Sequence, residues 1–254
     1  MNTANHWIDC PYDYRGAEVL VTGGSNGIGA AIAAAYKAAG ANVTITGTRA
    51  SSSDYEHDLS GYRYLQLQLT DNDQIDAVAA ALPRLDVLIN NAGGNFAAED
   101  EYQPDVFEKS IQVNLLSAYR MSLACHQKLA ASQLPSGGSI INLASMTSYF
   151  GVEVVPGYGA AKAGLAQLTK TLSIKWAQDN IRVNAVAAGL IESNMTAGFL
   201  AHEAASASTL QRIPMARFGN PWDIAGPILF FTSSAAGYVT GQTLPVDGGF
   251  TVMG

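Results

Sequence analysis

Tyr158 and Lys162 stand four residues apart in a stretch, Gly157 to Gln178, whose composition predicts a helix. Residues at that spacing share one helix face, so a phenol and an ammonium can meet there. A free phenol, with a pKa of about 10, exchanges protons poorly at neutral pH. A neighbouring ammonium stabilises the phenolate and lowers that pKa, which makes the pair a candidate general acid/base unit. The same spacing also arises on surface helices that do no chemistry. Ser145 adds a second group. It follows the apolar run Ser139-Ile-Ile-Asn-Leu143 and offers a hydroxyl to a carbonyl or alcohol oxygen. The alternative is a turn or helix-capping serine, and Ser148 is a second candidate for either role.

A second cluster suits phosphate. Thr22-Gly-Gly-Ser-Asn-Gly-Ile-Gly29 follows the strand-like Glu18-Val-Leu-Val-Thr22 and opens a helix-like segment, Gly27 to Ala39. Glycines 23, 27 and 29 permit a tight turn, clear the path of a pyrophosphate and let helix pack on strand. The helix start supplies free N–H groups and a positive dipole end. The spacing is G-x-x-x-G-x-G, which differs from the G-x-G-x-x-G dinucleotide fingerprint.

These groups need a frame, and the rest of the chain alternates strand-like and helix-like segments. Further strands are expected at Asn42–Thr46, Tyr64–Leu67, Asp86–Asn90, Ser139–Leu143, Ile181–Val186 and Leu244–Val246. Helices are expected from near Asp71, from about Pro104 to Ala131, from Gly157 to Gln178, and from Pro221 to Ser233. Gly40 sits where a helix C-cap glycine belongs. This rhythm predicts an α/β fold: one doubly wound parallel sheet of about seven strands with helices on both faces. Near-continuous apolar strands fit a sheet buried on both sides. Such sheets bind ligands at the carboxyl ends of their strands.

Composition excludes other classes. The chain has 254 residues, 48% hydrophobic and only 14% charged, with a net charge of −7. That argues against disorder. No clustered cations are present to displace counterions, so neither nucleic acid nor an anionic membrane surface is an expected partner. No apolar run approaches a membrane span, and no signal peptide is expected in Met1 to Gly16. Cys10 and Cys125 are expected to be reduced thiols in a cytoplasmic protein. Histidines 6, 57, 126 and 202 are isolated from one another and read as structural or surface residues, so no metal site is expected.

Several motifs in order resemble the short-chain dehydrogenase/reductase family. They are Thr22-Gly-X-X-X-Gly-Ile-Gly29, Asn90-Asn-Ala-Gly93, Ser145, Tyr158-Gly-Ala-Ala-Lys162 and Gly241-Gln-Thr-Leu-Pro-Val-Asp-Gly-Gly249. The closest general look is of 3-oxoacyl-thioester reductases and related ketone or alcohol dehydrogenases. The resemblance implies a single NAD(P)-binding Rossmann domain over residues 16–254, after an N-terminal extension of residues 1–15. It implies a catalytic tetrad of Asn114, Ser145, Tyr158 and Lys162, with Asn114 holding a water that links the lysine to solvent. The reaction it implies moves a hydride between nicotinamide and a ketone or secondary alcohol, with Tyr158 as general acid/base. A non-catalytic dinucleotide-binding sensor or scaffold on the same fold is the alternative.

By the same resemblance the cofactor contacts comprise Gly23, Ser25, Asn26, Gly27, Ile28, Gly29, Thr48, Arg49, Gln68 and Leu69. They continue with Asn90, Ala92, Gly93, Tyr158, Lys162, Gly189, Ile191 and Ser193. Gln68 stands where the family often has an aspartate, and Ala188-Gly189 replaces the usual Pro-Gly. The turn Thr46-Gly47-Thr48-Arg49 carries no acid, and the Arg49 fork suits a 2′-phosphate, so NADP(H) is favoured over NAD(H). Residues 193–213 match the position of a substrate lid. Tyr149, Phe150, Val152, Val154 and Val155 suggest an apolar substrate wall interrupted by Glu153. A homotetramer is implied, built on the helices that begin near Pro104 and Gly157. An apolar stripe of Leu165, Leu168 and Leu172 is a candidate contact unless it packs on its own sheet.

Overall fold

The computed structural model describes residues 12–253. Cys10, His6 and most of the expected N-terminal extension lie outside the described residues. Seven parallel strands form one sheet in the order β3-β2-β1-β4-β5-β6-β7. They are β1 (Glu18–Val21), β2 (Asn42–Gly47), β3 (Arg63–Gln66), β4 (Val87–Asn90), β5 (Gly138–Ser145), β6 (Ile181–Ala188) and β7 (Thr243–Val246). The order reverses between β1 and β4, which makes that junction the topological switch point where such sheets bind ligands.

Alternation along each strand explains why the apolar runs are continuous. Val19 and Val21 face one helical layer, and Leu20 faces the other. Val87 and Ile89 lie opposite Leu88 in the same way, and Ile141 and Leu143 lie opposite Ile140. Each fully buried aliphatic side chain of this kind contributes roughly 1.5–3 kcal/mol. The first layer is α1 (Gly27–Ala38) and α8 (Pro221–Thr232). The second is α2 (Asn72–Ala81), α4 (Ser117–Ala130) and α5 (Pro156–Trp176). Two short helices, α6 (Ala197–Leu200) and α7 (Glu203–Gln211), occupy the expected lid segment.

The expected elements are present, with three informative differences. The helix expected from Pro104 to Ala131 is α3 (Pro104–Ile111), one π turn over Gln112–Leu116, and then α4. Strands β5 and β6 each run two residues further at their carboxyl ends than the apolar pattern shows. They pair through Ser145 and Ala188, so the sheet itself carries Ser145 to the cleft. Tyr14, expected in the extension, is 3% exposed and anchors α8 by donating to the Leu229 carbonyl at 2.6 Å. No helix among the described residues is long and apolar enough to cross a membrane.

Candidate active site

A cleft of about 1000 Å³ runs across the carboxyl ends of the strands, lined by the loops that follow β1 to β6. Its floor is the glycine loop. Gly23 and Gly27 adopt positive φ of 64° and 53°, the left-handed region that glycine enters freely. A Cβ on Gly29 would overlap the Gly23 carbonyl and lie 2.5 Å from Asn91 Nδ2, so strand and helix meet there only through glycine. Asn26 precedes α1 in an extended conformation and its side chain caps nothing. The first α1 N–H groups are therefore left for an anion. This cradle fits the pyrophosphate of a dinucleotide.

Thr22 welds the floor to the next loop. Its Oγ1 accepts from the N–H groups of Asn91 and Ala92, both at 3.0 Å, and Asn91 Nδ2 donates to the Thr22 carbonyl at 2.9 Å. Gly29, Ala92 and Gly93 line the cleft. Asn90 does not. Its side chain is buried beneath α4 and donates to Ser122 Oγ and Asn142 Oδ1, both at 2.9 Å. Asn90 ends β4 on the Leu88 face, and the period of two turns Asn91 into the cleft in its place.

At the far end, Ser25, Thr48, Arg49, Gln68 and Leu69 line the cleft. Gln68 Nε2 donates to the Thr48 carbonyl at 3.1 Å, which pins the turn after β2. Arg49 lies over the Tyr55 ring, 4.9 Å from its centroid, and donates to the Asp54 carbonyl. Tyr55, Glu56 and His57 also line this end, and sequence reasoning missed them. His57, expected to be structural or surface, meets the Ser25 carbonyl at the rim. His126 fits that expectation, paired with Asp179 at 2.9 Å. The buried Cys125 thiol, pushed up to about 12 by burial, has no part in the site.

The chemistry-bearing residues converge at the other end. Ser145 terminates β5, and Tyr158 and Lys162 project from the first turns of α5 into the same cleft. Burial pushes the Tyr158 phenol above its usual range, the Ser145 hydroxyl works against that rise, and the charge of Glu101 adds to it. Burial pushes Lys162 down to about 8. The expected lowering of the phenol by Lys162 is not seen. Its Nζ donates to the Leu143 carbonyl at 2.7 Å and lies 5.5 Å from the Tyr158 ring centroid. Ser148 Oγ accepts from the Ser145 N–H at 3.4 Å and lies off the cleft, so the geometry favours Ser145 over Ser148.

Asn114 sits on the π turn, 1% exposed. Its Nδ2 donates to Gly94 O at 2.8 Å and to Ser110 O at 3.0 Å. The side chain therefore fastens the cleft loop. Gly189 and Ser193 line the cleft, and Ile191 forms a parallel bridge with Gly219. Leu190 and Glu192 make the hydrogen bonds of that bridge, which leaves the Ile191 N–H outside it. Of the expected apolar wall, Val152 and Val155 line the cleft. Phe150 instead packs on Phe250 with centroids 5.3 Å apart, Val154 is 60% exposed, and Tyr149 and Glu153 lie off the cleft.

Comparisons with known proteins match nearly the whole chain. A family model described as enoyl-(acyl carrier protein) reductase matches residues 23–251. The chain is 38% identical over 252 residues to a 2-dehydro-3-deoxy-D-gluconate 5-dehydrogenase of Pseudoalteromonas atlantica, covering 94% of this chain and 97% of that one. It is 36% identical over 241 residues to a 3α-hydroxysteroid dehydrogenase of Mediterraneibacter gnavus, covering 90% and 94%. Among solved structures, a candidate 2-deoxy-D-gluconate 3-dehydrogenase from Agrobacterium tumefaciens with bound NADP superposes with a TM-score of 0.84 at 35% identity, covering 96% and 100%. The chain belongs to the short-chain dehydrogenase/reductase family, NAD(P)-dependent oxidoreductases of alcohol and ketone groups.

Proposed function

We propose that this oxidoreductase works on a ketone or secondary alcohol held between Ser145 and Tyr158. The observation that carries this is the convergence of Ser145, at the end of β5, with Tyr158 and the buried Lys162, from the first turns of α5, on one cleft. A bound nicotinamide supplies or accepts the hydride. In reduction Tyr158 donates its proton to the carbonyl oxygen; in oxidation its phenolate takes the proton back. Ser145 orients that oxygen, and Lys162 supplies positive charge behind the phenol. The raised phenol keeps Tyr158 protonated through neutral pH, which suits it to donate. Kinetics with a panel of ketones, secondary alcohols and sugar acids, followed by absorbance of the reduced cofactor, tests this reading. Turnover of at least one class supports it, and no turnover across the panel with either cofactor contradicts it.

NADP(H) is the favoured cofactor. Arg49 lines the cleft beside Ser25 and Thr48, and no acid stands in the turn from Thr46 to Arg49. A guanidinium there pairs with 2′-phosphate oxygens. Glu56 also lines this end and would oppose a phosphate, so Arg49→Ala is the deciding variant. It should lower kcat/KM for NADP(H) by about tenfold, the worth of one exposed charge-assisted contact, and leave NAD(H) unchanged.

Substrate entry falls to the segment of residues 193–213. Ser193, Asn194, Met195 and Thr196 line the cleft ahead of α6 and α7, as a lid would. A homotetramer accords with the outer face of α3, the π turn and α4, although on different residues from those expected. Leu165, Leu168 and Leu172 pack on the chain's own core, whereas Phe107, Leu116, Tyr119 and Leu123 are 36–47% exposed. Light scattering at micromolar concentration checks the assembly, and a monomer rejects it.

A further inference from the structure

The first turn of α5 has no cap of its own. Val155 precedes the helix and brings no polar side chain. The missing partner comes from 57 residues upstream. Glu101 is fully buried, and its Oε2 accepts from the Tyr158 N–H at 2.7 Å. Its Oε1 accepts from the Phe96 N–H at 2.8 Å and from Ser110 Oγ at 3.5 Å. Gly157 leaves room for this: a Cβ there would sit 2.9 Å from Ser110 Cβ and 3.2 Å from Glu101 Oε2. Asp100, in the left-handed region at φ 63°, turns the chain just before Glu101. Among the described residues no cation pairs with this carboxylate. Two N–H groups and the dipole of a 21-residue helix hold it instead.

We propose that Glu101 is a positioning residue for the reaction: one buried carboxylate ties the Tyr158 turn of α5 to the Phe96 wall of the cleft and sets a negative charge beside that turn. The groups that face Tyr158 are Lys162 on its own helix, Ser145 from the end of β5 and Glu101 from the loop before α3. Glu101 is the anion among them, and a nearby negative charge disfavours phenolate. The proposal rests on Tyr158 as the proton-transfer group.

The test is the pH profile of kcat/KM for alcohol oxidation in wild type, Glu101→Gln and Glu101→Asp, with cofactor Kd and Tm measured alongside. Glu101→Gln removes the charge and keeps one acceptor. Its rising limb should move to lower pH by about 0.5–1 unit, the size expected of one partly screened charge, with cofactor Kd unchanged. Glu101→Asp keeps the charge but reaches less far. Its limb should stay in place while kcat falls at least threefold. A lowered Tm with an unmoved limb in Glu101→Gln means a purely structural cap and overturns the proposal. If Glu101→Gln does not fold, an unchanged kcat in Glu101→Asp overturns it. Turnover in Tyr158→Phe would instead sink the assignment of Tyr158 itself, so the two failures are distinguishable.

Discussion

Asn114 and Gly94 hold each other by two opposed hydrogen bonds: the Gly94 N–H donates to Asn114 Oδ1 at 3.1 Å, and Asn114 Nδ2 donates to the Gly94 carbonyl at 2.8 Å. A side-chain amide here does what a neighbouring strand would do for the loop after β4. The π turn makes this geometry available, since its extra residue rotates Asn114 out of the regular helical ladder. Gly93 must be a glycine for the same reason: a Cβ there would lie 2.6 Å from Asn114 Oδ1.

Asn114→Ala should therefore act through the loop. Two half-buried backbone groups lose their partners, at a combined cost of about 1–3 kcal/mol. A displacement of the cleft wall by roughly 1 Å should lower kcat by about 10²-fold. Thermal unfolding and steady-state kinetics check both parts. A variant with wild-type kcat and lowered Tm would show that the pair serves stability alone.

Much of this arrangement is legible in the sequence, and the rest is hidden for identifiable reasons. The glycine loop announces itself because few residues tolerate its dihedral angles and its close approach to Asn91. The strands are legible because both faces are buried, so their apolar runs are unbroken. Asn90 and Asn91 are chemically identical neighbours, and only the face of β4 on which each falls separates them. The π turn leaves no local sign, since Gln112-Val-Asn-Leu-Leu116 reads as ordinary helix. Glu101 is less visible still, because its partner lies 57 residues away and a lone Glu in a polar loop resembles any surface acid.

The glycine loop gives a sharp steric prediction. Gly29→Ala places a methyl group against the Gly23 carbonyl and 2.5 Å from Asn91 Nδ2. Neither group can move without breaking the Thr22–Asn91 contacts. Overpacking of this kind costs about 1–3 kcal/mol. Binding of reduced cofactor, read by fluorescence, should weaken by at least tenfold. Undiminished binding would mean that the loop does not cradle the pyrophosphate.

Lys162 carries a cost that pH reveals. Burial lowers its pKa from the usual 10.5 to about 8. Between those values the unfolded chain binds more protons than the folded one, so wild-type stability rises with pH through the window from 8 to 10.5. Lys162→Met removes the buried ammonium. At pH 7 the variant should be more stable than wild type by about 1–2 kcal/mol, net of the lost bond to the Leu143 carbonyl, while losing activity. The advantage should shrink as pH rises through the window. Denaturant titrations at pH 7 and pH 10 test this, and an advantage that grows with pH would refute it.

Proton transfer by Tyr158 is the centre of this account, and Tyr158→Phe tests it most directly. The substitution removes one hydroxyl and keeps the ring, the α5 turn and the bond from the residue-158 N–H to Glu101. With the best ketone from the substrate panel, under conditions where chemistry limits the rate, kcat should fall by about 10²–10⁴-fold, the worth of a general acid. Cofactor Kd, measured on the same preparation, should stay at the wild-type value. Turnover near wild type in Tyr158→Phe, with cofactor bound as before, would contradict the mechanism.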